Sequence, residues 1–183
     1  MADKRTRAGV DLGKVLAESY AVNEQMNQLV LEHLDPAAWR ANLPGIKGRD
    51  IASIFSHVHN MRRKWLRLTA PHFKLPAALD RTKCTQKQAQ AALAESGAKC
   101  FEMITEAICN PHTRVKKFQR DGWARPWPAG AAMVAYMITH DAHHRGQVSL
   151  LAHQLGFPLA AKAGVGMWGW EKLWKECGFG KLK

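Results

Sequence analysis

The eight residues His140-Asp-Ala-His-His-Arg-Gly-Gln147 constrain this chain more than any other stretch. They fall inside a long helical run expected from about Pro128 to Leu155. On an α-helix, positions i and i+4 share a face with Cβ atoms roughly 6 Å apart, so His140 and His144 can chelate one ion. The same spacing supplies two zinc ligands in the His-Glu-x-x-His helix of metalloproteases. Here Asp141 follows the first histidine, and the protease reading fails. At about 100° per residue, Met133, Met137, Val148, Leu151 and Leu155 gather on one side. His140 and His144 lie among them, His143 lies at the edge, and Arg145 points away. A lone inward histidine is commonly just a hydrogen-bonded core residue. Two inward imidazoles at this spacing are harder to satisfy without a metal, and a metal needs a further protein ligand from elsewhere.

The rest of the chain reads as helices separated by connectors of mixed length. A first amphipathic helix is expected from Val10 to Leu34, after a tail at residues 1–9. Asp35-Pro36 opens a short helical turn. Asp50 caps a second long helix that ends near Thr69. Its stripe is Ile54, Val58, Met61, Trp65 and Leu68, with His57 on the flank of the stripe and His59 directed to solvent. The basic run from Met61 to Arg67 places its charges on the outer side of this helix. Thr85 caps a third helix, Gln86 to Cys109, which Gly97 weakens. Residues 111–127 read as a basic, aromatic connector without strands, in which Asp121-Gly122 is a polar loop. Gly156 and Pro158 end the fourth long helix. A tail with Trp168, Trp170 and Trp174 holds a short helix around Glu171–Cys177, and covers one end of the core or forms a subunit contact.

Four long helices of this kind predict an all-α fold, a four-helix bundle forming one domain over residues 1–183, with a Trp-rich C-terminal extension. Bundle cores build metal sites from facing helices, so His57 can supply the missing ligand to His140 and His144. The chain shows no secretory signal and no apolar run long enough to span a bilayer. Cys84, Cys100, Cys109 and Cys177 form no Cys-x-x-Cys. Scattered thiols of this kind suit a reducing cytoplasm. The net charge of +12 supports a rival function, the binding of nucleic acid or another anionic partner, although the basic residues are dispersed.

Two segments together resemble the DinB-like (DinB/YfiT) family of metalloenzymes. One is the His140–Gln147 motif, followed by Val148-Ser-Leu-Leu-Ala-His-Gln-Leu-Gly156. The other is Ile54-Phe-Ser-His57-Val-His-Asn-Met-Arg-Arg-Lys-Trp65, a histidine followed two turns later by tryptophan. The resemblance implies an up-down-down-up bundle, often a homodimer. It places three metal ligands at His57, His140 and His144, with zinc or nickel as the ion, and treats His143 as a non-ligand. It also implies S-transferase or isomerase chemistry with a low-molecular-weight thiol in some relatives.

Three neutral imidazoles with an open position make a reactive rather than a closed structural centre. A divalent ion there would lower the pKa of a water or thiol, which suits hydrolysis or thiol transfer on a small-molecule substrate. Three further residues are candidates for proton transfer or for orienting the ligands. Asp141 neighbours a ligand but faces about 100° round the helix. Gln147 follows His144 by one turn on the inward side. Tyr136 lies near the inward face. Arg145 is expected to pair with a carboxylate on another helix. The alternative is a non-enzymatic basic, stress-related protein whose metal is structural or vestigial.

Overall fold

A computed structural model describes residues 11–45, 47–120, 123–126 and 132–180. The tail at 1–9, the Asp121-Gly122 pair and the expected helix start at Pro128 lie outside the described residues. Four long helices dominate: α1 (Leu12–His33), α2 (Ile51–Thr69), α3 (Gln86–Cys109) and α4 (Ala132–Gln154). Their starts follow from local chemistry. The carboxylates of Asp11 and Asp50 accept from the backbone N–H groups of Lys14 and Ser53, satisfying donors that have no partner within the helix. Thr85 and Gln88 form a reciprocal capping box at α3. Asp35 caps a single 3-10 turn over Pro36–Ala38.

Side-chain contacts fix the directions of the helices. Gln86 at the start of α3 donates to Leu31 and Leu34 at the end of α1, so these two helices run antiparallel. His59 of α2 meets Ala92 and Ser96 of α3, and Ser56 meets Cys84 just before it. This makes α2 and α3 parallel. The Asn23–Asp141 bond lies on the Ala17–Val134 side, and Val30 and Leu31 pack in one cluster with Val148 and Ala152, so α1 and α4 are parallel as well. The result is an up-down-down-up four-helix bundle. Its apolar core forms two clusters along the axis, one around Ile51, Phe55, Leu93 and Val148 and the other around Tyr20, Trp65, Met103 and Met137.

Several expectations are corrected. The connector after α3 is not strand-free. Strands β1 (Lys117–Arg120) and β2 (Trp123–Pro126) pair antiparallel, with Arg120 opposite Trp123. Bundle contacts anchor the strands. Phe118 is buried, and Gln119 exchanges hydrogen bonds with the Thr69 hydroxyl at the end of α2. His59 does not face solvent either. It is fully buried, with Nδ1 near the Ala92 carbonyl and the Ser96 hydroxyl and Nε2 at the Ala77 carbonyl. The segment between α2 and α3 folds back over the side of α2 that periodicity assigned to water. Burial lowers the pKa of His59, against the raising effect of its two backbone hydrogen bonds.

Arg62 is the third correction. The sequence puts its charge on the outer side of α2, yet the residue is 0% exposed, because α1, α3 and α4 supply its partners Glu24, Leu93 and Asp141. Gly97 of α3 takes part in burying it. A Cβ at Gly97 would lie 2.7 Å from Glu24 Cγ, and the space is what lets Glu24 reach Arg62 across the core. Alanine at position 97 gains about 1 kcal/mol of helix propensity, but it crowds a side chain locked in an ion pair. We expect Gly97→Ala to lower the thermal midpoint, a net loss on the order of 1 kcal/mol. A rise in midpoint would show that Glu24 moves aside freely.

The C-terminal extension forms α5 (Ala161–Gly166), which the sequence reading did not include, and α6 (Trp170–Glu176). Trp174 and Leu173 are buried against Val22 of α1, whereas Trp168 is 84% exposed. The extension therefore covers one side of the bundle with only part of its aromatic set. Among the described residues, no helix is long and apolar enough to cross a membrane.

Candidate metal centre

The antiparallel packing of α2 on α4 brings three histidines together. The rings of His140 and His144 are 4.6 Å apart, and that of His57 lies 5.4 Å and 4.8 Å from them. One ligand nitrogen from each falls within 4.8 Å of the others. A tetrahedral ion at about 2.1 Å from each nitrogen separates them by about 3.4 Å, which small side-chain rotations reach. His143, exposed and 5.1 Å from the His144 ring, stays outside the group.

The surrounding groups fit a metal because they fix the imidazoles in the ligating form. His144 Nδ1 lies 2.7 Å from Gln147 Oε1. A carbonyl oxygen only accepts, so Nδ1 carries the proton and the Nε2 lone pair is left for an ion. His140 Nδ1 lies 3.3 Å from Asp141 Oδ1, with the same consequence. Burial is the largest influence on His144 and lowers its pKa, with His140, His143 and Arg49 acting in the same direction and Gln147 opposing. The neutral ring is thereby favoured. Trp65 closes the far side, its ring 5.1 Å from His140 in an edge-on contact.

Asp141 belongs to a charge network that runs through the core. Its Oδ2 accepts from Arg62 Nη2, Asn23 Nδ2 and Asn27 Nδ2. Arg62 Nη2 also reaches Glu24 Oε2 at 2.6 Å. Burial alone would raise the Asp141 pKa, but the Arg62 guanidinium and the bonds from His140 and Arg62 hold it well below the carboxylate range. At Glu24 burial wins over Arg62, and the pKa is raised. Arg145, read as pointing away from the core and pairing with a carboxylate, is buried and donates to the side-chain carbonyls of Asn23 and Asn27 at 2.7 and 2.9 Å. The two asparagines relay it to Asp141, since each also donates to that carboxylate. Glu24, Asn23, Asn27 and Arg62 were missed as parts of the site's support. Asn23 and Asn27 are polar residues on the apolar side of α1, and that placement was the available signal; Arg62 lies off the apolar stripe of α2 and gave none.

The other candidates fall as follows. Gln147 is exposed and bonded to His144. Tyr136 is half-buried and packs on Trp65 with ring centroids 5.9 Å apart, so the indole stands in contact with both Tyr136 and His140. The four cysteines are free thiols, with Cys84 and Cys100 buried, and none joins the histidine group.

An up-down-down-up bundle carrying a three-histidine group on α2 and α4 defines a class of bundle proteins able to hold a metal ion between facing helices. The chain belongs to the DinB family, whose model matches residues 1–166. The match takes in all four long helices, the hairpin and α5, and leaves α6 beyond its end. Among curated proteins, none matches the chain.

Proposed function

We propose that this DinB-family chain is a metal-dependent enzyme that acts on a small molecule, by thiol transfer or by hydrolysis, at His57, His140 and His144. The observation that carries the reading is the anchoring of two of the three imidazoles. Gln147 and Asp141 hold His144 and His140 so that their remaining nitrogens converge with His57. A divalent ion, zinc or nickel, supplies Lewis acidity that favours the deprotonated form of a water or thiol near neutral pH.

The chain's own groups then divide the work. Asp141 is a positioning residue and a poor base. It is ionised, buried and already accepts from Arg62, Asn23 and Asn27. Gln147 fixes the His144 tautomer and presents its exposed side chain beside the centre. Tyr136 precedes His140 by one turn of α4 and packs on the same Trp65 ring, which keeps it a candidate for proton transfer. A low-molecular-weight thiol is the co-substrate of the transfer reading. We place the protein in the cytoplasm as a homodimer, in line with its four free thiols and with the exposed Trp168.

The nucleic-acid alternative rests on the net charge of +12, of which Arg62 and Arg145 are spent inside the core. Elemental analysis of untagged protein, wild type beside His140→Ala, separates the readings. We expect about one metal per chain in the wild type and none in the variant. No metal in either protein, even after addition of zinc or nickel, overturns the enzyme reading and directs attention to the basic surface.

A further inference from the structure

One turn from the histidine group, the seam between α2 and α4 opens into a cavity of about 320 Å³. It is lined by Arg49, Ile54, Gln147, Leu150, Leu151 and Gln154. We infer that this cavity binds the substrate, and that the substrate is an amphiphilic anion with an apolar body and a carboxylate or similar charged end.

Three observations carry the inference. The cavity is joined to the metal centre through residues of both helices. Ile54 precedes His57 by three positions, and Gln147 follows His144 by three and is bonded to it. Each offset is close to one helical turn, about 5.4 Å of rise, so a ligand lying in the cavity extends one end towards His57 and His144. The second observation is chemical. Leu150 is 59% exposed on the cavity wall, and with Ile54 and Leu151 it makes an apolar surface suited to a hydrocarbon body. The third is the cation. Arg49 is exposed on the cavity lining and forms no ion pair among the described residues. The adjacent Asp50 does not neutralise it, because that carboxylate is held by Arg40 at 3.2 Å and caps α2 through the Ser53 N–H. An unpaired guanidinium at the rim of a partly apolar cavity selects an anionic group, and the Gln147 and Gln154 amides add neutral hydrogen-bonding capacity.

The inference rests on the site proposed above, so its test is arranged to fail separately from that site. Octanoate and octan-1-ol serve as the charged and uncharged probes. Each is titrated calorimetrically into the full-length chain, once after chelator treatment and once with an equivalent of zinc. We expect saturable octanoate binding in both forms, weaker binding of octan-1-ol, and a loss of about five-fold in octanoate affinity in Arg49→Gln. Arg67→Gln, which removes an exposed charge elsewhere on α2, should leave octanoate affinity unchanged. Leu150→Gln should weaken both probes. Equal affinity for the two probes, an equal loss in Arg49→Gln and Arg67→Gln, or no saturable binding overturns the inference. Octanoate binding that persists in a chain unable to take up zinc would sink the metal reading alone.

Discussion

Replacing His144 by alanine will abolish stoichiometric metal binding and leave the helical circular dichroism spectrum largely intact. Its ring is central to the group, 4.6 Å from His140 and 4.8 Å from His57. Two imidazoles remaining on different helices make a much poorer site, and the expected loss in affinity is at least about a hundred-fold, comparable to or greater than the loss of an outer-sphere partner. The fold should survive because the bundle does not depend on this ring. Its two core clusters are built from other residues, and Gln147, the partner of His144, is exposed and returns to water. Equilibrium dialysis with zinc and a far-ultraviolet spectrum of the same sample check both halves. Retained one-to-one binding would remove His144 from the ligand set, and complete unfolding would mean that the centre is structural rather than open.

Arg62→Met should be the most destabilising single change in the bundle. It keeps most of the side-chain volume but removes the cation that Asp141 and Glu24 share in the core. Breaking a buried pair by deleting one partner costs about 3–5 kcal/mol, because the remaining charge is left uncompensated. For a chain of this size that corresponds to a fall in thermal midpoint of roughly 10 °C. The pH dependence gives a sharper signature. In the wild type, Asp141 is held below its unfolded value, so its contribution is present above the ordinary carboxylate range and is lost as pH falls through the lower, folded value. Without Arg62, burial dominates and the folded value rises above the unfolded one. The sign then reverses, and the variant should lose stability as pH rises through the carboxylate range. Urea titrations between pH 4 and pH 8 read this directly: the Asp141 contribution is level in the wild type over this window, because its folded value lies below it, and falls with rising pH in the variant. Parallel slopes in the two proteins would mean that Arg62 does not control the Asp141 carboxyl.

The helices and the metal group were largely legible in the residues. Capping signals at Asp50 and Thr85 and the expected ends near Thr69 and Cys109 mark α2 and α3 to within a residue or two. The i, i+4 pair His140 and His144 and the flank position of His57 pointed to the cluster that the bundle assembles. The errors share a cause. Periodicity assigns one buried face per helix, and α2 is buried on more than one. It packs on α3 and α4, the segment after Ala70 passes over it, and the hairpin docks at Thr69. His59 and Arg62 sit on the faces that those neighbours cover. The hairpin was overlooked because its strands are four residues each, too short for alternation to stand out. What holds them is a non-local bond to Thr69.

The sequence by itself determined the four long helices, the limits of α2 and α3 and the His140–His144 pair, because caps, breakers and i, i+4 spacing are local properties of the chain. Only the tertiary structure decided which polar residues would be buried. Whether Arg62 and Asp141 face water or each other depends on α1 and α4 meeting α2, with partners 38 and 79 positions away along the chain (62 − 24 and 141 − 62). A guanidinium in a core is stable only when its carboxylates arrive with it, and that arrival is an outcome of helix packing.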